Sequence, residues 1–177
     1  MAEKELSVFE TLNKINVNGK TETKGNLTYL SWSFAWAEVK KAYPEANYTV
    51  YERETQYGPV PYFTDGRTCW VKTGVTINGL EHIEMLPVMD FRNQAVSLEK
   101  ITSMDVNKSI QRSLTKAIAR HGLGLYIYAG EDLPEDEAET LRKKEATQAA
   151  EFEKIDRKAK RQEQTATVET VSAVPGW

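Results

Sequence analysis

Four basic side chains recur at every fourth position in one stretch of the chain: Lys108, Arg112, Lys116 and Arg120. On an α-helix each step of four advances about 40° around the axis, so they would form a slowly winding positive stripe. Asp105, at the head of the run, is the only acid between Ile101 and His121. Solvated helix faces usually mix signs, and this one does not. Lys and Arg donate hydrogen bonds and accept none, which suits phosphate oxygens. Each phosphate contact releases counterions from a nucleic acid, so four contacts per chain would add steeply across an oligomer. The competing reading is a basic face that solvates the helix or pairs with acids from elsewhere in the fold.

Other residue types argue against bond-breaking chemistry. Asp65, Asp90, Glu131 and Asp132 are the carboxylates a metal-dependent nuclease would use, and such a centre needs two or three of them converging on one ion. Asp65 precedes Gly66 in a tight-turn pair, and adjacent Glu131 and Asp132 would diverge if extended. Gly122-Leu123-Gly124 lacks the Gly-Lys-Ser/Thr that cradles nucleotide phosphates. With two histidines and one cysteine, Cys69, no cysteine-rich zinc site or internal disulfide is available. No cofactor is expected. Tyr29, Trp32 and Trp36 could stack on bases, yet their spacing fits a core or subunit-interface face better. Trp70 shares the polar side of its strand with Lys72, where a covering helix is expected to shield it.

The stripe needs a helix to carry it, starting near Ser103 or Asp105 and stopped by Gly122, with Ile110, Leu114, Ala117 and Ile118 turned toward a sheet. Asp65-Gly66 and Asn78-Gly79 are tight-turn pairs. Between them Cys69, Val71, Val75 and Ile77 alternate with Thr68, Trp70, Lys72 and Thr76, predicting a strand with one covered face. The chain returns through Leu80–Asp90, where Pro87 predicts a bulge or an edge position. Upstream, Ser7 and Glu10 form a capping box for a short helix with Leu6, Phe9 and Leu12 on its apolar side. Asn16–Asn26 reads as a loop. A second helix follows Ser31 and ends at Pro44. Leu125–Tyr128 reads as a short extended segment. The fold class is α+β: an antiparallel β meander packed by a long helix, with N-terminal helices and a polar C-terminal tail, partly helical or disordered.

The net charge of −3 at first disfavours a nucleic-acid partner. Its distribution reverses that impression. Residues 1–130 hold 15 Lys and Arg against 14 Asp and Glu, whereas 131–177 hold 8 against 12. The acidity therefore belongs to the tail, and the body is free to carry a local basic stripe. No apolar run reaches the roughly 18 residues that would span a membrane, and the polar start Met1-Ala2-Glu3-Lys4-Glu5 is not a signal peptide. A cytosolic location in the host cell is expected.

Several blocks occur in a recognisable order. They are Tyr29-Leu30-Ser31-Trp32, Leu86-Pro87-Val88-Met89-Asp90, Asn107-Lys108-Ser109-Ile110-Gln111-Arg112, Thr115-Lys116-Ala117-Ile118-Ala119 and His121-Gly122-Leu123-Gly124-Leu125-Tyr126 through Ala129-Gly130-Glu131-Asp132-Leu133-Pro134. Together they resemble the Sak-type single-strand annealing proteins of bacteriophages, within the Red-beta-like group, over roughly residues 8–134. The resemblance implies a β-β-β-α core that assembles into rings or helical filaments. It also implies ATP-independent binding and annealing of single-stranded DNA in phage recombination, with no catalytic residue.

By position, Lys108, Arg112, Lys116 and Arg120 become the leading DNA contacts, with Arg67, Lys72 and Arg92 as weaker ones from the sheet. Residues 1–134 would form the DNA-binding and oligomerisation domain, and 135–177 a charged tail. Related proteins use such tails for a partner exonuclease or the host single-strand-binding protein. Other readings stay open: a protective single-strand-binding module, a metal-dependent nuclease, or a scaffold whose basic helix meets an acidic protein. A five-stranded oligonucleotide-binding barrel is disfavoured because only three strong strands precede the long helix.

Overall fold

A computed structural model describes residues 6–24, 27–90 and 92–128, and beyond them Lys143, Lys144, Thr147, Ala150 and Lys154. The chain divides into two units, Met1–Ile127 and Tyr128–Trp177. In the second unit the five described residues are helical, and the Thr147 hydroxyl donates to the Lys143 carbonyl at 2.8 Å. The domain boundary expected at residue 134, the pair Glu131 and Asp132, and the segment from Thr165 to Trp177 lie outside the described residues.

The first unit is organised around one long strand. β7 (Cys69–Ile77) turns through Asn78 (φ 50°) and Gly79 (φ 79°) into β8 (Leu80–Pro87), and both positive φ values are what a two-residue hairpin turn demands. On its other side β7 pairs antiparallel with β3 (Asn47–Val50) and β6 (Phe63–Thr64). Two small antiparallel hairpins stand apart from this sheet. One joins β1 (Thr21–Lys24) to β2 (Leu27–Leu30), the other β4 (Arg53–Thr55) to β5 (Gly58–Val60). Among the described residues eight strands precede the long helix, six of them only two to four residues long. They form three separate sheets, of which the largest has four strands.

The alternation in β7 sorts its side chains as expected. Cys69, Val71, Thr73, Val75 and Ile77 are buried, facing α3 (Ser103–Arg120). α3 opens with a capping box in which the Thr102 hydroxyl and the Asp105 carboxylate each accept from the other residue's backbone N–H. The Thr102 hydroxyl, at 2.6 Å from Asp105 Oδ2, and then the Thr102 N–H hold the Asp105 carboxyl below its usual range. Toward the sheet the helix presents small residues as well as apolar ones: Ser109 and Ser113 are buried, and the Ser113 and Thr73 hydroxyls bond at 2.7 Å. α2 (Trp32–Ala42) packs beside α3, and its Ala35 and Val39 join Val75, Ile77, Ala117, Ile118 and Leu123 in one core. Trp32, read as a core or subunit-interface residue, is 49% exposed at the first turn.

α3 stops where glycine is required. Gly122 has φ 117°, and a Cβ there would lie 2.7 Å from the Phe9 carbonyl of α1 (Val8–Asn13). His121 is buried beside it, with Nε2 2.8 Å from the Val75 carbonyl and its ring 4.3 Å from that of His82. The Ser7–Glu10 capping box is present, although Leu6 and Phe9 are 44% exposed; Leu12 is buried in the core from that helix, and Val8 packs against it. Leu125–Tyr128 is a 3-10 turn, not extended. Two consecutive tight turns at Gly122 and Gly124 leave the chain coiled rather than drawn out.

Candidate nucleic-acid interface

The winding of the stripe decides what each basic residue can do. From Lys108 to Arg120 the direction rotates by about 120°, so the stripe winds toward the β8 edge of the sheet. Lys108 is exposed, while Arg112 and Lys116 are half-buried. At the far end Arg120 Nε donates to Glu84 Oε2 at 2.6 Å, with the Glu84 side chain 11% exposed and that of Arg120 55%. The stripe is thus not free of acid, because β8 supplies one that helical spacing could not reveal. Arg120 serves as an ion-pair partner for a nearly buried carboxylate.

Arg112 is held differently. Its guanidinium lies 4.9 Å from the ring centre of Tyr29 on β2, and the Tyr29 hydroxyl donates to Asn93 Oδ1 at 3.3 Å. A guanidinium seated on an aromatic face keeps its in-plane N–H donors pointing outward, where a phosphate can take two of them. Tyr29 and Asn93 are therefore parts of this site that the sequence reading assigned elsewhere or passed over. Nothing in the local spacing marks them, since contact with Arg112 depends on how the β1–β2 hairpin meets α3.

The three weaker candidates do not join the stripe as one surface. Arg92 sits in the turn that also holds Asn93, and its N–H donates to Asp90 Oδ1 at 2.8 Å. Arg67 is exposed in the turn before β7, with its N–H on Asp65 Oδ1 at 2.9 Å. Lys72 alternates with Val71 and Thr73, so it points to the opposite face of the sheet from α3. There its Nζ lies 4.5 Å over the Tyr51 ring, and Tyr51 donates to both oxygens of Glu81 at 2.9 Å, which raises the Tyr51 pKa. Trp70 stacks on Phe63 on this same outer face, with ring centres 6.2 Å apart. The covering helix expected over Trp70 is absent among the described residues, and Met85 remains 56% exposed.

The carboxylates weighed for metal chemistry hold turns together. Asp65 Oδ1 accepts from the N–H groups of Arg67 and Thr68, and the Thr68 bond, then the Arg67 bond, lowers its pKa. Asp90 Oδ1 accepts from Arg92 and Gln94. Among the described residues no three His, Cys, Asp or Glu side chains lie together as metal ligands would, and no helix is long and apolar enough to cross a membrane.

No curated protein and no solved structure matches the chain. The model of the family described as Sak Single Strand Annealing Protein matches residues 7–165, reaching past both the sheet and α3. The chain belongs to the Sak single-strand annealing protein family.

Proposed function

We propose that this protein binds single-stranded DNA through its phosphates along α3 and anneals complementary strands without ATP, as a homo-oligomer, in phage recombination. Lys108, Arg112 and Lys116 carry the contact. The supporting observation is Arg112 seated on Tyr29, a cation fixed by a neutral partner instead of by a carboxylate. Its charge is left for the ligand.

Annealing itself needs no bond to be broken. Two strands must be relieved of mutual phosphate repulsion while their pairing edges stay open, and backbone-directed Lys and Arg do this without reading sequence. No group on the chain is asked to act as acid, base or nucleophile. Lys72 is assigned no contact with a strand on α3, because it lies on the far side of the sheet. We place the protein in the host cytoplasm and assign the charged tail to a partner exonuclease or the host single-strand-binding protein.

Labelled complementary oligonucleotides, mixed without ATP or metal, are expected to pair faster with the protein present. Retarded pairing would instead indicate a protective single-strand binder. Arg112→Ala is expected to lower the dependence of log affinity on log salt by about 0.7, one phosphate's share on single-stranded DNA. Arg120→Ala is expected to register first in thermal stability, since it strands the Glu84 carboxylate. Equal salt slopes for Arg112→Ala and the parent would overturn the assignment of Arg112.

A further inference from the structure

The β4–β5 hairpin ends in a residue that its own chain does not use. Gln56 and Tyr57 form the two-residue loop, and Tyr57 is 89% exposed, so almost the whole ring stands in water. The loop beneath it is held firmly. The Thr55 hydroxyl accepts from the Tyr57 N–H at 3.2 Å and donates to the Gly58 carbonyl at 2.7 Å, while Gly58 takes φ 98°. Aromatic side chains on a fixed backbone are the usual anchors of protein interfaces, since little freedom is lost when they dock. The hairpin offers a side chain and not a strand edge, because Pro59 in the middle of β5 has no N–H.

The outer face of the main sheet holds a matching hollow. It measures about 250 Å³ and is lined by Thr68, Cys69, Trp70, Met85 and Pro87. That is below the roughly 300–1,000 Å³ of small-molecule sites and suits one large side chain. Trp70 pairs with Pro87 and Lys72 with Met85, so the hollow lies between β7 and β8. The hairpin springs from the other flank of β7, where the chain leaves β3 and returns as β6. Charge follows shape. Glu52 and Glu54 are exposed on the hairpin and its stem, whose one base, Arg53, is turned inward with Nε donating to the Tyr62 carbonyl at 3.2 Å. Beside the hollow stand Arg67, exposed next to Thr68, and Lys72, across from Met85. The acids nearby are already engaged, Asp65 by the N–H groups of Arg67 and Thr68, and Glu81 by the Tyr51 hydroxyl.

We propose that Tyr57 of one copy docks in the Trp70–Met85–Pro87 hollow of the next. The inference rests on the reading of the protein as an oligomer and names the two surfaces that join its copies. Knob and hollow are different patches on opposite flanks of β7, so the contact is heterologous. Each copy gives one and receives one, and the series closes into a ring or runs on as a helical filament. The contact uses the face of the sheet opposite α3, which leaves the basic stripes uncovered. Because one movement relates every copy to the next, the stripes recur at a fixed interval, as a strand followed from copy to copy requires.

Tyr57→Ser tests the knob without disturbing the fold, because the ring touches so little of its own chain. It is expected to lower the mass in light scattering and to leave the circular dichroism spectrum unchanged. The pairing of knob with hollow is tested by two separate variants, Gln56→Cys beside the anchor and Arg67→Cys beside the hollow. Co-expressed and treated with a bismaleimide, they are expected to give a covalent dimer on a denaturing gel, and neither is expected to do so alone. The native thiol, Cys69, is buried and its pKa is pushed up by burial, so it stays out of the reaction. A monomeric parent protein, an unchanged mass for Tyr57→Ser or a mixture that does not cross-link would overturn the proposal. So would either variant linking to itself, which marks a two-fold contact. A parent that assembles and cross-links in this way yet fails to speed annealing would leave the contact standing and remove the functional reading instead.

Discussion

Thr73 and Lys72 are neighbours on β7, yet they live under different rules. Thr73 is fully buried, with its hydroxyl bonded to Ser113 of α3. Lys72 lies over Tyr51 on a face where Ile83 and Met85 remain open. The inner face is closed by a helix, so every polar group there must find a partner inside the protein. On the outer face the side chains partner one another, Trp70 with Phe63 and Tyr51 with Glu81, and water supplies the rest. A strand covered on one side thus separates the residues that fix the fold from those left available for contact.

That contrast can be broken by substitution. The largest effect is expected for Ile118→Ala, which empties a side chain 2% exposed at the centre of the core and should cost about 2–5 kcal/mol in chemical denaturation. Next comes Ser113→Ala. It leaves the buried Thr73 hydroxyl unpaired, at about 1–3 kcal/mol, and adding Thr73→Val should recover most of the loss by removing both polar groups. Deleting a hydroxyl on the other face, Tyr51→Phe, is expected to leave the denaturation midpoint where it was. If Ser113→Ala and Tyr51→Phe proved equally costly, the distinction between the faces would fall.

The smallest effect is a dependence on pH. Burial holds the His121 imidazole below its ordinary 6.5, against the Val75 carbonyl, which pulls the other way. Its pKa is lower in the folded chain than in the unfolded one, so on acidification the unfolded chain takes up the proton first. Stability from this residue is therefore complete above about pH 6.5 and declines as pH falls through the folded value. Denaturation midpoints at about pH 7.5 and pH 5.5 should converge in His121→Gln relative to the parent, and an unchanged gap would remove His121 as its source.

How much of this was legible beforehand depends on whether a signal was local. The Asn78-Gly79 turn, the Ser7 capping box and the alternation in β7 each need only neighbouring residues, and each is found where it was read. Thr21–Lys24, inside the stretch Asn16–Asn26, reads as loop from sequence because Thr-Glu-Thr-Lys has no apolar alternation, and pairing with β2 alone defines it as a strand. The Arg53–Val60 hairpin escaped for the same reason. In the candidate site, Lys108 could be placed by helical spacing alone. The Arg120–Glu84 and Arg112–Tyr29 contacts join residues far apart in the chain, so only the packing of α3 against β8 and against β2 could show them.

The seat of Arg112 has a mechanical consequence. A lysine on a helix surface transmits the pull of a bound phosphate through one flexible stem into one helix. Arg112 rests on a ring that belongs to β2, and that ring is tethered in turn to the 90–94 turn through Asn93. A load applied there by a strand under tension is shared among three chain segments, so this point of attachment can resist shear that would swing a lone side chain aside.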